Sequence, residues 1–165
     1  MLELFLIRHA KTHPPGQGLV DFDRTLNSRG EQDASRMGRW LAEQRLSFDL
    51  MLSSPARRAV QTARLIAGEV GYPVDDIREI EAFYNASADT LLAEVQRTDP
   101  ACRRLALVAH NPGISWLCQS LTGESVEMPT CAIAVIHFDL DDWQAVHSDA
   151  GWVAHYEYPA KLADG

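Results

Sequence analysis

The sequence contains few cysteines, no long apolar run and no excess of basic residues. Cys102, Cys118 and Cys131 form no CxxC pair, and an odd, scattered set predicts reduced thiols instead of a disulfide framework or a zinc site. The apolar runs are shorter than the roughly 18 residues that cross a bilayer. The chain reaches Arg8 without a basic leader, which argues against a signal peptide. We therefore expect a cytoplasmic protein that does not associate with membranes.

The charge balance is acidic, with 23 Asp and Glu against 15 Lys and Arg and a net charge of −8. Nucleic acids and anionic membranes bind basic surfaces, so neither is expected as a partner. A length of 165 residues, 46% of them hydrophobic, predicts one domain over residues 1–165. No helical zipper and no apolar edge stands out, so we expect a monomer.

The hydrophobic pattern alternates between strands and helices. Strands are predicted at residues 2–7, 48–54, 72–80, 103–110, 132–139 and 152–158. Helices are predicted from an N-cap at Ser28 paired with Glu31, over 56–70 after Pro55, from an N-cap at Ser87, and from near Pro112. Strands that alternate with helices indicate an α/β fold, a three-layer α/β/α sandwich around a mostly parallel central sheet.

Polar residues follow three of the predicted strands at the point where each strand ends. They are Arg8–His9 in "LFLIRHAKT", Ser53–Ser54 in "FDLMLSS" and His110 in "RRLALVAH". In open sheets of this kind, ligands bind beyond the carboxyl ends of the strands. We therefore expect these residues to share one edge of the sheet.

The residue types at these strand ends suit the binding of a phosphoryl group. A histidine that is held neutral can attack phosphorus, and an adjacent arginine such as Arg8 offers planar, bidentate donors to phosphate oxygens. In "SSPARRAVQTA", Arg57 or Arg58 would lie in the first turn of a helix, where free N–H groups favour an anion. Each feature taken alone also has an ordinary structural explanation, whereas the three together favour one anion site.

The segments "LIRHAKT", "SSPARRAVQTA" and "VAHNPGI", in this order and at these intervals, resemble the histidine phosphatase superfamily, also called phosphoglycerate mutase-like. The short chain resembles the SixA-type phosphohistidine phosphatase branch. Arg24-Thr25-Leu26 ahead of "SRGEQDASRMGRWL" extends the resemblance over nearly the whole chain. It implies a phosphoglycerate mutase-like fold over residues 1–165.

The resemblance also implies roles for individual residues. His9 would be the nucleophile that becomes phosphorylated, and Arg8 and Arg58 would bind the phosphoryl oxygens. His110 would hydrogen-bond the same group and stabilise charge in the transition state. Arg24 matches the arginine of an "RPL" loop motif and would reach the rim of the pocket.

Two positions depart from the family pattern. Thr25 stands where the motif has proline, which leaves the rigidity of that loop open. Ala10 stands where most members have glycine, and alanine requires only that the backbone there avoid positive φ.

The acid that would protonate a leaving group is ambiguous in this sequence. In larger members it follows the third strand, where "IREIEAFYNAS" offers Glu79 and Glu81, and we favour Glu81. An alkyl phosphate ester depends on such an acid, whereas the imidazole of a phosphohistidine can leave already protonated. A doubtful acid therefore favours a phosphoramidate substrate.

The function implied is a phosphohistidine phosphatase that acts on a histidine-phosphorylated protein domain through a phosphorylated His9. Two alternatives stay open: a phosphatase of small phosphorylated metabolites, and a phosphate-binding regulatory module without turnover. No cofactor is expected. No metal site is expected either, because Arg8, Arg58 and His110 can supply the positive charge and no carboxylate cluster has ligand spacing.

Overall fold

The computed structural model describes residues 1–16 and 18–164. The strands are β1 (Leu2–Arg8), β2 (Leu50–Ser53), β3 (Arg78–Glu79), β4 (Arg104–Ala109), β5 (Ile133–Phe138) and β6 (Gly151–Glu157). The helices are α1 (Ser28–Glu43), α2 (Arg57–Val70), α3 (Ala88–Gln96), α4 (Gly113–Thr122) and α5 (Pro159–Asp164). The alternation of strands and helices expected from the hydrophobic pattern is present.

The strands form one sheet in the order β3-β2-β4-β1-β5-β6. β1 pairs in parallel with β4, and β2 pairs in parallel with both β3 and β4. β5 runs antiparallel to β1 and β6. The prediction of a mostly parallel central sheet is confirmed, with β1 and β4 buried in its centre.

Apolar side chains cover both faces of the sheet. Successive residues of a strand point to opposite faces, so Phe5 and Ile7 of β1 pack in a cluster with α1 and α2 residues, while Leu4 and Leu6 pack in a second cluster with α3 and α4 residues. The result is the predicted three-layer α/β/α sandwich. No helix in the described parts of the chain is long and apolar enough to cross a membrane.

The helix starts follow the predicted capping chemistry with one correction. Ser87 caps α3 by accepting a hydrogen bond from the Thr90 N–H, as expected, and α4 begins directly after Pro112. At α1, however, the N-cap is Asn27, whose side chain accepts from the Gly30 N–H. The prediction of Ser28 as the cap was wrong by one residue, because asparagine caps as well as serine does and precedes it.

The third predicted strand is much shorter than residues 72–80. Only Arg78–Glu79 pair with β2, and Val74–Asp76 form a 3₁₀ turn after Pro73. Proline lacks an amide donor and aspartates favour turns, so residues 73–76 do not extend the strand. Pairing with β2 is limited to Arg78–Glu79. The C-terminal helix α5 was not expected from the sequence.

Candidate active site

The parallel strands bring the polar strand ends to one edge of the sheet, as predicted. Arg8 is in register with Ala109, the residue before His110, and Ser53 is in register with Val108. The consequence is that His9 and His110 lie side by side, with ring centroids 5.2 Å apart. Two histidines separated by about a hundred residues of chain thus share one site.

The His9 ring is held in a defined protonation state. Its Nδ1 lies 2.8 Å from the Ala10 carbonyl oxygen, which can only accept, so Nδ1 carries a proton and donates it. Burial is the main cause that lowers the pKa of His9 to about 3, and the nearby positive charge of Arg58 and Arg8 acts in the same direction. At neutral pH the ring is therefore neutral, with its free lone pair on Nε2.

His110 is fixed by a different partner. Its Nε2 lies 2.7 Å from the Ser54 hydroxyl, and its Nδ1 is buried with no hydrogen-bond partner among the described residues. Ser54 Oγ accepts from the Ala56 N–H, and among the described residues His110 Nε2 is the one acceptor within reach of the Ser54 hydroxyl proton, so the hydroxyl donates to Nε2. Burial, followed by the charge of Arg58, lowers the pKa of His110 to about 4. The neutral ring then carries its proton on Nδ1, a donor that needs an acceptor.

The two arginines expected to bind phosphate are both held at the site. Arg8 donates from Nη1 to the Met128 carbonyl at 3.1 Å, and its Nε is buried with no acceptor among residues 1–16 and 18–164. Arg58 is only 5% exposed, whereas the competing candidate Arg57 is exposed. The structure thus places Arg58, and not Arg57, beside the histidines.

Asp21 links Arg58 to Arg24, and it was not predicted from the sequence. Arg58 donates to the Asp21 carbonyl oxygen at 2.8 Å and to Oδ2 at 3.1 Å. Arg24 donates to Oδ1 at 2.9 Å, and the Tyr84 hydroxyl donates to Oδ2 at 2.6 Å. The Tyr84 hydrogen bond, followed by the two arginines, lowers the pKa of Asp21 to about 2. The carboxylate is ionised at neutral pH.

Tyr84 forms part of the same site and was also missed. Its ring lies edge-on to His110, with centroids 5.8 Å apart, and Arg58 Cζ lies 6.0 Å from its centroid. Phe22 packs edge-on to Tyr84 at 5.3 Å. The hydrogen bond to Asp21 raises the pKa of Tyr84, so the hydroxyl stays protonated.

Hydrogen bonds of the backbone explain how the structure accommodates Ala10 and Thr25, the two departures from the family pattern. Ala10 is buried, does not adopt positive φ, and donates its N–H to Thr62 of α2 at 3.0 Å. The Thr25 carbonyl accepts from the His13 N–H at 3.0 Å, and Thr12 bridges to Leu26. The loop that carries Arg24 is therefore paired to the segment after β1 without needing proline.

The glutamates considered as proton donors lie at the surface. Glu79 and Glu81 are exposed, and neither carboxylate makes a hydrogen bond or ion pair with the described residues. Glu81 begins a 3₁₀ turn that leads to Tyr84. The choice of Glu81 as the acid stays a prediction, while the acidic group in contact with the arginines is Asp21.

A cavity of about 540 Å³ adjoins Arg8. Its walls include Asn111 and Met128, and Trp116, a residue that is 59% exposed, stands at its border. Asn111 donates to the same Met128 carbonyl as Arg8, at 2.8 Å, which holds this wall in place. The cavity offers room for substrate atoms beyond a phosphoryl group.

The arrangement suits a tetrahedral anion. Buried N–H donors of Arg8 and His110 lack protein acceptors in the described chain, and a buried unpaired donor is costly. A phosphoryl oxygen would pair with either one. Next to these donors lies a neutral imidazole with a free lone pair, which is the requirement for attack on phosphorus.

Comparison with known proteins identifies the family of the chain. Residues 4–96 match the sequence model of the histidine phosphatase superfamily (branch 1). An uncharacterized protein of Mycobacterium leprae (strain TN) is 30% identical over 166 residues, which cover 93% of this chain and 99% of that protein. The chain belongs to the histidine phosphatase superfamily.

Solved structures confirm the predicted fold. A protein of Agrobacterium tumefaciens assigned as the phosphohistidine phosphatase SixA has a TM-score of 0.83 and 27% identity, covering 96% of this chain and 98% of that one. The protein histidine phosphatase SixA complexed with tungstate has a TM-score of 0.85 at 22% identity, covering 98% and 99%, and shows the shared fold. The SixA-type resemblance is confirmed, and the family and its structural neighbours support a phosphatase.

Proposed function

We propose that the protein is a phosphohistidine phosphatase that works through a phosphorylated His9. The observation that carries this proposal is the neutral His9 ring, whose proton is held on Nδ1 by the Ala10 carbonyl. Nε2 is then free to act as the nucleophile without a general base. His110 and the arginines beside it supply donors for the phosphoryl oxygens.

In the first step, the Nε2 lone pair of His9 forms a bond to phosphorus. The P–N bond of the substrate breaks, and its electron pair stays on the substrate imidazole. A substrate ring that is protonated on its other nitrogen leaves as neutral imidazole, so no proton has to be transferred during the step.

In the second step, water attacks phosphorus and the bond to His9 breaks. The phosphorylated ring still carries its Nδ1 proton, held by the Ala10 carbonyl at 2.8 Å, so it is an imidazolium and leaves as the neutral ring. The water proton passes to the product phosphate. His9 thus returns to its starting state after each cycle.

The acidic groups of the site favour a P–N substrate over an alkyl ester. Asp21, with its pKa lowered to about 2, is ionised and has no proton to donate at neutral pH. Glu79 and Glu81 are exposed. An alkoxide leaving group would depart without strong acid assistance, whereas imidazole needs little.

Positive charge for the transition state comes from the protein itself in this proposal. Arg8 and Arg58 bind the equatorial oxygens, His110 donates from Nδ1, and Arg24 supports the rim through Asp21. We propose no metal or cofactor, so turnover in the presence of EDTA is expected to match turnover without it.

The physiological substrate proposed is a histidine-phosphorylated protein domain. The cavity of about 540 Å³ next to Arg8 accommodates residues that flank a phosphohistidine. A net charge of −8 disfavours nucleic acid and anionic membranes as partners. We propose a cytoplasmic monomer.

The proposal is tested by turnover of a phosphohistidine peptide and a panel of phosphate esters, together with trapping of ³²P on the enzyme at neutral or alkaline pH. We expect the phosphohistidine peptide to be the best substrate and the label to reside on His9. His9→Ala should lose at least about a thousandfold in kcat and all trapped label. The exposed His147, changed to alanine, serves as the matched control and should retain both.

Three outcomes contradict the proposal. Faster turnover of every ester than of the phosphohistidine peptide favours a phosphatase of small metabolites. Tungstate binding with no turnover of any substrate favours a phosphate-binding regulatory module. Retention of full activity in His9→Ala overturns the assignment of the nucleophile.

A further inference from the structure

One side of the mouth of the site is lined by Asp21, Phe22 and Tyr84, here called the rim cluster. The Asp21 side chain is 46% exposed, so it faces solvent while it also binds Arg58. Phe22 and Tyr84 pack edge-on with centroids 5.3 Å apart. The rim cluster therefore combines a solvent-facing carboxylate with two aromatic rings.

The rim cluster contacts two of the groups that would bind the phosphoryl group, since Asp21 pairs with Arg58 and Tyr84 packs on His110. In-line attack requires the leaving group to lie on the side of phosphorus opposite His9. The Tyr84 ring is 5.8 Å from the ring of His110, which lies beside His9, and the Tyr84 hydroxyl is bound to Asp21. A leaving group on a phosphoryl group held by Arg58 and His110 would therefore lie within reach of this carboxylate and these rings.

Asp21 retains capacity to bind another donor. Its Oδ2 accepts from Arg58 and Tyr84, whereas Oδ1 accepts only from Arg24 among the described residues. A carboxylate oxygen can accept two hydrogen bonds, so one lone pair of Oδ1 remains free. An ionised carboxylate beside aromatic rings is suited to a flat ring with a positive charge.

We propose that the rim cluster is a leaving-group subsite that selects a protonated imidazole, with Asp21 accepting a hydrogen bond from the ring N–H. This inference rests on the proposed function and adds the group that recognises its substrate. Asp21 stabilises the phosphoimidazolium form, in which the P–N bond breaks with its electron pair going to a ring that departs neutral. The same carboxylate repels leaving groups that carry a negative charge.

The test compares kcat/KM for two substrates with the same phosphoryl group. One is N-acetylhistidine amide phosphorylated on its imidazole ring. The other is 4-carboxyphenyl phosphate, whose leaving group is anionic. We expect Asp21→Asn to lower the ratio of the first value to the second by about tenfold, because it removes one charge-assisted hydrogen bond and one repulsion. Asp21→Glu keeps the charge and should keep the ratio, even where the absolute rates fall.

Asp23 provides the matched control. It lies two residues away on the same 3₁₀ turn and is exposed, and its carboxylate makes no hydrogen bond or ion pair with the described residues. Asp23→Asn changes the net charge equally and should leave the ratio unchanged. Product inhibition by N-acetylhistidine amide gives a second measurement, which we expect to weaken in Asp21→Asn and not in Asp23→Asn.

The outcomes separate this inference from the proposed function. If Asp21→Asn lowers turnover of both substrates by the same factor, Asp21 only positions Arg58, and the leaving-group subsite is overturned while the phosphatase proposal stands. If the unmodified protein hydrolyses the ester and not the phosphohistidine compound, both proposals are overturned. A shift in the ratio confined to Asp21→Asn supports the subsite.

Discussion

At the scale of single residues, hydrogen bonds decide which nitrogen of each histidine carries a proton. The Ala10 carbonyl holds the proton of His9 on Nδ1, and Ser54 contacts His110 at Nε2. The first contact leaves His9 with a nucleophilic nitrogen, and the second leaves His110 with a donor. The proposed chemistry depends on this difference between two rings only 5.2 Å apart.

Ser54→Ala is predicted to impair turnover by releasing the His110 ring. The variant loses the 2.7 Å contact to Nε2, so the ring and its proton are no longer held in one orientation. We expect kcat to fall about tenfold, and the unfolding free energy to fall by about 1–2 kcal/mol because a buried hydrogen bond is lost. Steady-state kinetics and urea unfolding measure the two effects.

Ser53→Ala is the control for that change. Ser53 is equally buried, and its hydroxyl donates to the Ser54 carbonyl at 2.9 Å instead of contacting a histidine. It should lose similar stability and keep kcat within about twofold. Equal losses of kcat in the two variants would show that Ser54 acts only through the fold.

At the scale of elements, α1 packs directly against the segment that leaves β1. A Cβ added at Gly30 would lie 2.0 Å from the Lys11 carbonyl oxygen, which is backbone and cannot move alone. The same carbonyl oxygen accepts from the Asn27 N–H. Glycine at position 30 therefore allows the helix to support the backbone that follows His9.

Gly30→Ala is predicted to destabilise the protein by about 2–4 kcal/mol, because the helix must shift to relieve a clash with backbone. Gly68→Ala is the contrasting variant: Gly68 is exposed within α2, and nothing lies within 4 Å of an added Cβ. It should stabilise by about 0.5–1 kcal/mol through helix propensity. Urea unfolding of both variants tests the packing, and destabilisation of similar size in both would contradict it.

At the scale of the whole molecule, buried neutral histidines make stability depend on pH. Burial is the main cause that lowers the pKa values of His9 and His110 to about 3 and about 4, from the ordinary 6.5. Between these values and pH 6.5 the unfolded chain binds more protons than the folded one. The free energy of unfolding therefore falls as the pH falls below 6.5.

We predict a loss of stability between pH 7 and pH 5, with each of the two histidines adding at most about 1.4 kcal/mol per pH unit. Urea unfolding at several pH values measures this slope. His110→Asn should flatten it, because one of the two groups is removed. His147→Asn, at an exposed position, should leave the slope unchanged. A slope that is the same in His110→Asn as in the unmodified protein would contradict the assignment.

Most of the fold was predictable from local pattern. The strands β1, β4 and β5 consist mostly of apolar residues, and their positions agree with the prediction to within one or two residues. The range predicted for the edge strand β3 was too long, because the pairing of an edge strand depends on its neighbour as well as on its own residues. The helix α5 was missed for a similar reason: it packs on the fold as a short terminal segment.

The residues of the candidate site also fall into two groups, those that were predicted from the sequence and those that were not. Arg8, His9, Arg58 and His110 were identified from motifs and strand ends, and the structure brings them together. Asp21 and Tyr84 carried no local pattern, although Asp21 stands three residues before Arg24. Their hydrogen bond joins residues 63 positions apart. A contact between residues so far apart in the chain cannot be predicted from local residue spacing or from composition.

The sequence by itself determined the class of fold and the groups able to hold a phosphoryl group. Apolar periodicity decides strands and helices, and parallel strands necessarily place their polar ends at one edge. Only the tertiary structure decided which ring nitrogen of His9 is free, which arginine is buried, and which carboxylate pairs with the arginines. Those properties depend on burial and on hydrogen-bond partners supplied by distant segments, and these exist only once the chain has packed.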